Sequence, residues 1–344
     1  MNPFELRRQD FSLDEDHEAV REVFSSFFTK ECPTTIVRAA EPIGYDPALW
    51  DKLLRLGPTA MSLPENIGGD AAGILELSLV AEEVGRALAP VPLLEHVIAT
   101  RLLAAANCDS KLLKAAIGGE RPVGLALTAL SESTLVSTAA IADTVIGLDG
   151  DDLVSLTVDE MRRHQPNQAC LPCAYVDPAT ERRVVLATNA TELHSRAVRE
   201  WKVLAAAALV GLTAGALALA VEFAKSRQTM GVPIGTLQGV SFPLADVHIG
   251  VAGARNLYRR AAWFLDHEPE AEVGLPSAAL AYAAEVAMHG TTVAQHTHGG
   301  LGFTVEADVS LYFLRAKGWA LAGGDPRRDA SRLGKLLVDA VTAS

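Results

Sequence analysis

Apolar residues recur at helical spacing through the first third of the chain. One set follows the i, i+3, i+4, i+7, i+8 pattern of a single helix face: Val20, Val23, Phe24, Phe27 and Phe28. Ser12 and Glu15 precede this set with the spacing of a capping box. Further helices are predicted where apolar runs stop at Gly or Pro, over 47–56, 72–87, 93–106 and 110–117. Residues 1–118 are therefore predicted to form a helical domain.

The pattern changes between residues 119 and 196. Apolar runs become short and are separated by turn sequences such as Asp149-Gly150-Asp151-Asp152 and Asp177-Pro178. Strands are predicted over 123–127, 144–148, 153–156, 173–176 and 183–187. This part of the chain is therefore predicted to form a small β domain.

Long helical patterns return over residues 197–344. Residues 203–221 carry no charged side chain and have about the length of a membrane span. Ala dominates this run and its flanks show no aromatic belt. Since a helix that is apolar on every side also occurs in the core of a large bundle, we predict a buried bundle helix and no membrane span. The predicted fold class is α+β, with a helical domain, a β domain and a helical bundle in that order.

A glycine turn separates two of the predicted C-terminal helices. The first of these covers about 277–297, and Gly299 and Gly300 can end it because glycine accepts a positive φ. Thr304 is expected to cap the helix that follows. A turn of this kind lets an anionic ligand approach backbone donors, although a plain helix connection has the same pattern.

The net charge limits the classes of partner that the chain is expected to bind. The formal net charge of −12 argues against binding to nucleic acid or to an anionic membrane surface. The first residues lack the basic and apolar regions of a secretory signal, so a cytoplasmic location is expected.

Cys170 and Cys173 form a CxxC pair, but no second pair completes a zinc site, and we expect a structural or incidental role.

Three separated segments resemble acyl-CoA dehydrogenases and follow the order found in that family. The most specific is Arg227-Gln228-Thr229-Met230-Gly231-Val232-Pro233-Ile234-Gly235, which continues to Leu237-Gln238 and Leu244-Ala245-Asp246. The second is Pro64-Glu65-Asn66-Ile67-Gly68-Gly69, followed by Glu82-Glu83-Val84-Gly85-Arg86. The third is the turn at Gly299. The resemblance implies the acyl-CoA dehydrogenase fold, whose C-terminal domain is a four-helix bundle.

The resemblance also implies FAD as cofactor and an acyl-CoA as substrate. In the family, FAD lies between the β domain and the bundle, and a second subunit completes its site. The residues that match the cofactor-binding positions are Arg227, Gln228, Met230, Gln238, His296, Gly299, Gly300 and Gly302. Arg227 matches the arginine that pairs with the FAD pyrophosphate, a contact suited to guanidinium geometry.

Two departures from the family pattern concern the flavin ring and the catalytic base. Residues 127–133 lack the Gly, Pro and Asp of the family's first β-domain signature. The family's catalytic Glu occurs at one of two places, and here one place falls in the glycine-containing region 318–326 and the other at Trp201. Glu200 and Asp325 are the nearest substitute carboxylates, and Asp325 precedes Pro326 as a helix cap does.

Two functional hypotheses follow. In the first, the chain is a non-catalytic subunit that completes the FAD site of a paralogous partner, as in the mixed tetramers formed by some bacterial members of the family. In the second, the chain is a catalytically competent FAD-dependent acyl-CoA dehydrogenase with a displaced base. The retained FAD-binding motif and the altered base positions favour the first. An unrelated helical scaffold is a third, weaker alternative.

Overall fold

The N-terminal region is helical, as predicted. A computed structural model describes residues 11–108 and 110–342. Its first helices are α1 Glu15–Glu31, α2 Thr34–Ala39, α3 Pro47–Leu54, α4 Ile74–Ala87, α5 Leu93–Ala105 and α6 Ser110–Gly118. A short 3-10 turn, Glu65–Ile67, precedes α4.

The start of α1 differs from the sequence prediction. Asp14, not Ser12, is the N-cap, and its Oδ1 accepts a hydrogen bond of 3.0 Å from the backbone N–H of His17. The His17 ring faces back to the Asp14 N–H, so the capping box is Asp14 with His17. The predicted box was two residues early because several polar residues here have capping chemistry.

The middle region contains a small mixed sheet. Its strands are β1 Val123–Leu125, β2 Thr134–Val136, β3 Thr144–Asp149, β4 Asp152–Thr157, β5 Ala174–Val176 and β6 Arg182–Ala187. A four-stranded sheet has the order β1-β3-β4-β6, in which β1 and β3 are parallel and the other pairs are antiparallel. β2 and β5 form a separate antiparallel ladder. The sequence patterns indicated every strand of this region but β2, whose three residues are too few to show a period.

The C-terminal region is built of long helices. They are α7 Thr191–Ser226, α8 Gln238–His267, α9 Leu275–Thr297, α10 Asp308–Leu321 and α11 Pro326–Thr342. A two-stranded hairpin of β7 Gln228–Thr229 and β8 Val232–Pro233, followed by the 3-10 turn Ile234–Thr236, joins α7 to α8. A five-residue 3-10 segment, Gly299–Phe303, lies between α9 and α10.

The central element is α7, which packs against α4, α8 and α9. Among the residues that the structure describes, α7 alone is long and apolar enough to cross a membrane. Its most apolar 18-residue stretch, however, is 83% buried inside the protein. It is thus a core helix, as predicted. Its crossing with α4 is close, since a Cβ on Gly85 would lie 1.8 Å from the carbonyl oxygen of Ala208. The crossing therefore requires glycine.

Candidate functional site

The glycine turn after α9 is held by its own backbone geometry. Gly299 has a φ of +60°, a conformation that favours glycine and ends the helix as predicted. The buried Gln295 side chain donates from Nε2 to the carbonyl oxygen of Gly302 at 3.0 Å. A Cβ on Gly302 would lie 2.4 Å from the Gln295 carbonyl oxygen, whereas Gly300 faces open space. The turn is therefore compact at Gly302 and accessible at Gly300.

The prediction that Thr304 caps the next helix is wrong. α10 begins at Asp308, and its N-cap, Ala307, has no side-chain capping bond. The Thr304 hydroxyl donates instead to the carbonyl oxygen of Leu301 at 3.0 Å. The reason is that the 3-10 segment extends the turn, so that Thr304 closes this segment before the helix starts.

The candidate cofactor residues of the Arg227 motif lie at the junction of α7 and α8. Arg227 follows the last residue of α7 and is exposed, as are Gln228 in β7 and Gln238 at the start of α8. Within residues 11–108 and 110–342, the Arg227 guanidinium makes no hydrogen bond or ion pair. Met230, at the tip of the hairpin, is 99% exposed. All four side chains are therefore free to contact a ligand or another subunit.

The glycine turn and the end of α7 belong to one surface. The His298 ring stacks on Phe223, four residues before Arg227, with 4.4 Å between the ring centroids. His296 is exposed in the last turn of α9, and its ring lies 6.4 Å from that of Phe303 in the glycine turn. The structure thus brings the two motifs together. An unpaired guanidinium beside an accessible glycine turn can bind a pyrophosphate.

Trp201, one of the two places that the resemblance assigns to the catalytic Glu, lies against Gly323, which belongs to the region that contains the other place. A Cβ on Gly323 would lie 2.5 Å from the indole ring of Trp201. Trp201 is 2% exposed, so its ring fills the space that a side chain at position 323 needs. This contact joins α7 to the loop after α10, and neither position supplies a carboxylate.

Glu200 is engaged in ion pairs on a different face of α7. Its carboxylate accepts hydrogen bonds from Arg101 at 2.8 and 3.1 Å and from Arg196 at 3.3 Å. Burial lowers the pKa of Arg101, but the charge and hydrogen bonds of Glu200 together with the charge of Asp266 exceed this effect, so the pKa is raised. Glu200 lines a cleft of about 510 Å³ that Trp201 does not line. The adjacent positions point apart because successive helical residues are rotated by about 100°.

Asp325 acts as the cap of α11, in accord with its Asp-Pro context. Its Oδ1 accepts the backbone N–H of Arg327 at 3.0 Å, and its Oδ2 accepts from the Arg327 guanidinium at 2.8 Å. These hydrogen bonds from Arg327 lower the pKa of Asp325. Its carboxylate is therefore committed to the start of the helix.

One carboxyl at this place escaped the sequence analysis. Glu95, in the first turn of α5, accepts hydrogen bonds of 3.2 Å from Trp201 Nε1 and from the Ser137 hydroxyl. It lines a cavity of about 60 Å³, and burial raises the pKa of its carboxyl. The available signal was a lone acid in an apolar run, but a carboxylate in a first turn is usually explained by the helix dipole.

The cysteines show no sign of shared chemistry. All four thiols, including those of Cys170 and Cys173, are free. Burial raises the pKa of Cys173 to about 11, which suppresses the reactive thiolate. Among the residues that the structure describes, no group of three or more His, Cys, Asp or Glu side chains could hold a metal ion.

Comparisons with known proteins identify the family. Residues 14–110 match the acyl-CoA dehydrogenase N-terminal domain, and residues 193–331 match the acyl-CoA dehydrogenase C-terminal domain. The chain belongs to the acyl-CoA dehydrogenase family. It is 31% identical to the acyl-CoA dehydrogenase IpdE2 of Mycolicibacterium smegmatis, over 93% of this chain and 98% of that protein. It is 32% identical to IpdE2 of Mycobacterium tuberculosis, over 93% and 96% of the two chains.

Solved structures support the same fold. One chain of the ChsE4-ChsE5 complex from Mycobacterium tuberculosis superposes with a TM-score of 0.83 at 25% identity, over 96% of this chain and 99% of that one. A chain of the steroid acyl-CoA dehydrogenase Tcur3481-Tcur3483, a G363A variant, gives a TM-score of 0.84 at 23% identity, over 95% and 99%. The acyl-CoA dehydrogenase fold is thus confirmed.

In this member of the acyl-CoA dehydrogenase family, the loop at Ala169 packs against α10 beside a cleft that the β domain also lines. Thr128 and Gly324 both line this cleft of about 440 Å³. The loop at Ala169 crosses α10 so closely that a Cβ on Gly318 would lie 1.9 Å from the Ala169 Cβ. Trp319 Nε1 also donates to the Ala169 carbonyl oxygen at 3.2 Å. The cleft therefore differs from the outer surface at Arg227, which is open.

Proposed function

We propose that this chain is the non-catalytic subunit of a heterotetrameric, FAD-dependent acyl-CoA dehydrogenase. In this assembly, Arg227 and the glycine turn complete the FAD site of a paralogous partner, which carries the catalytic base. The substrate of the complex is an acyl-CoA thioester, which is dehydrogenated between its α and β carbons.

The contact between Trp201 and Gly323 carries the proposal. Trp201 stands at one position that the family resemblance assigns to the base, and the other falls at Gly323 or Gly324, so neither position supplies a carboxylate. A Cβ on Gly323 would lie 2.5 Å from the Trp201 ring, which leaves no room for Glu there. Gly324 has a φ of +107°, a conformation that favours glycine. Glu200 and Asp325 do not replace the base, because Arg101 and Arg327 respectively bind their carboxylates. A chain without a free, ionised carboxylate at this place cannot remove the α-proton of the substrate.

The exposed surface supports the assembly. Arg227 has a guanidinium without a partner among the described residues, and its geometry suits a pyrophosphate. Gly300 leaves the backbone of the turn open to the same ligand. When bound, FAD would accept the β-hydride of the substrate; this chain would hold the pyrophosphate and shield it from water. Among the similar structures, ChsE4-ChsE5 is a complex of two named proteins and Tcur3481-Tcur3483 also carries two protein names, which fits pairing with a paralogue.

Glu95 supports a second candidate function, in which this chain is itself a catalytic dehydrogenase and Glu95 is its displaced base. Its carboxyl lies 3.2 Å from Trp201 Nε1, next to the place where the family base belongs. Burial raises its pKa, however, which favours the protonated form. A general base must be ionised before it can accept a proton, so we rank this function second.

Substitution of Arg227 tests the proposal. In the complex purified through a tag on this chain, Arg227→Ala should weaken FAD binding by roughly 10- to 150-fold. The estimate corresponds to the loss of about 1.5–3 kcal/mol from a hydrogen bond to a charged group. FAD affinity is measured by fluorescence titration of the flavin-stripped complex.

Three carboxylate substitutions serve as the comparison: Glu95→Gln, Glu200→Gln and Asp325→Asn. Each is expected to leave turnover per bound FAD within a few-fold of the wild type. Loss of turnover in Glu95→Gln with FAD still bound would make this chain catalytic and would replace the first proposal by the second.

A further inference from the structure

Arg38, on the short helix α2, binds the segment that follows the glycine turn, from Val305 to Asp308. Its guanidinium donates to the carbonyl oxygens of Val305, through Nη1, and Glu306, through Nη2 at 3.3 Å. The same group binds Asp308 Oδ1 through Nη2 at 2.8 Å and Nε at 3.3 Å. Thr34 adds a hydrogen bond of 2.9 Å from its hydroxyl to Asp308 Oδ2. Two residues of the N-terminal region thus hold the chain where it leaves the turn and enters α10.

The local sequence cannot fix this entry by itself. The N-cap of α10 is Ala307, which has no side chain able to accept a bond from the first turn of the helix. Thr304, the nearest preceding residue with capping chemistry, bonds inside the 3-10 segment. The position of the turn relative to α10 therefore depends on Arg38 and Thr34, which are more than 260 residues away in sequence.

The near end of the turn is fixed by different contacts. Gln295 binds the Gly302 carbonyl oxygen, and His298 stacks on Phe223 at the end of α7. Between the two anchored ends the segment exposes three large apolar side chains: Leu301 at 52%, Phe303 at 64% and Val305 at 75%. A segment that is anchored at both ends and apolar outward is preorganised to contact a second chain.

We propose that Arg38 is a positioning residue, which holds the glycine turn in the conformation that the partner's FAD site requires. The inference rests on the proposed function. Arg38 itself lies beyond the turn and contacts carbonyl oxygens and a carboxylate, so its effect on FAD passes through the backbone of residues 299–308. The N-terminal region thereby takes part in a site built by the C-terminal region.

The experiment measures the turn and the cofactor separately. Arg38→Ala should raise the rate of amide hydrogen exchange in residues 301–308 and weaken FAD binding by the complex roughly two- to thirtyfold, as substitutions that act through intervening structure do. Arg38→Lys keeps the charge but loses the fork that spans carbonyls and carboxylate, so it should fall between Arg38→Ala and the wild type. Thermal unfolding of each complex is recorded alongside.

Glu41→Gln is the matched control. Glu41 lies just beyond α2, and its carboxylate binds Arg315 of α10 at 3.0 Å, which joins the same two regions without touching the turn. This variant should leave both the exchange of residues 301–308 and the affinity for FAD unchanged. Arg227→Ala, measured in parallel, reports whether the surface binds FAD at all.

Three results would overturn the inference. Unchanged exchange of residues 301–308 in Arg38→Ala would show that the residue does not hold the turn. If Glu41→Gln lost as much FAD affinity as Arg38→Ala, the effect of Arg38 would be one of general stability and not of holding the turn. Faster exchange with full FAD affinity in Arg38→Ala, while Arg227→Ala loses FAD, would remove the link to the cofactor and leave the proposed function standing. Full FAD affinity in Arg227→Ala would count against the proposed function itself.

Discussion

At the residue scale, His96 shows how a buried imidazole joins two regions. The N–H of Val123 in β1 donates to His96 Nδ1 at 2.9 Å, so this nitrogen carries no proton. The proton is therefore on Nε2, which lies 2.9 Å from the carbonyl oxygen of Ala116 in α6. A second proton, on Nδ1, would face the Val123 N–H and break the contact. Burial accordingly lowers the pKa of His96 to about 4.

The pH dependence of stability follows from this pKa. Because the folded pKa of about 4 lies below the unfolded value of 6.5, the contribution of His96 is complete above pH 6.5 and is lost as the pH falls toward 4. The loss amounts to roughly 3 kcal/mol of unfolding free energy. His96→Gln should flatten the dependence between pH 6.5 and pH 4, measured by urea unfolding at a series of pH values.

The comparison for His96→Gln is His289→Gln, which changes an exposed histidine of α9. His194 is buried and its pKa is also lowered by burial, so the wild type retains a second contribution of the same sign. The difference in the pH dependence of the unfolding free energy between a variant and the wild type gives the contribution of the substituted histidine alone. An unaltered pH profile in His96→Gln would contradict the lowered pKa of His96.

At the scale of elements, the crossing of α4 and α7 depends on two reciprocal glycines. A Cβ on Gly85 would lie 1.8 Å from the Ala208 carbonyl oxygen, and a Cβ on Gly211 would lie 1.8 Å from the Glu82 carbonyl oxygen. Backbone atoms cannot move aside as a side chain does, so an added methyl group must separate the helices. Small residues here are a packing requirement and not a weakness of the helix.

Gly211→Ala should therefore lower the unfolding free energy by about 1–3 kcal/mol, the usual cost of overpacking, despite the higher helix propensity of Ala. Gly334→Ala provides the contrast, since Gly334 lies exposed in α11 and a Cβ there meets no atom within 4 Å. That change should stabilise by up to about 1 kcal/mol. Equal effects of the two substitutions in urea unfolding would refute the packing argument.

At the scale of the whole molecule, large apolar side chains remain on the surface of the bundle. On α8, Phe242 is 59% exposed and Ile249 is 67% exposed, and their spacing of seven residues puts them on one face. The hairpin adds Met230 at 99%, and the turn adds Phe303 at 64%. Several large apolar side chains exposed on one part of a protein surface are typical of an interaction site.

The flavin content of the assembly tests this view. The chain purified alone should be flavin-free and prone to association, because its apolar surface and its share of the FAD site both lack their partner. The complex with the paralogous subunit should carry about one FAD per two chains, measured by flavin absorbance against protein concentration. A yellow homotetramer with one FAD per chain would rule out the non-catalytic role.

Local patterns determined much of this protein. The helical spacing before residue 119 and the short apolar runs after it predicted most of the elements, because both periods are properties of neighbouring residues. The Arg227 motif and the glycine turn are short segments, so the family was evident from the sequence. The absence of Glu at both base positions was likewise readable, since it needs only alignment with a motif.

Tertiary structure decided which side chains meet. Glu200 and Trp201 are adjacent in sequence, yet Glu200 pairs with Arg101 in one cleft while Trp201 fills the space beside Gly323. Glu95 reaches Trp201 from another helix, and Arg38 reaches the glycine turn from another region of the chain. A sequence specifies helix faces through local spacing, but the partner of each face depends on how distant elements pack. The absence of Glu at the two expected positions was therefore readable in the sequence, whereas the contact between Trp201 and Gly323 and the contacts that hold the turn depend on the fold.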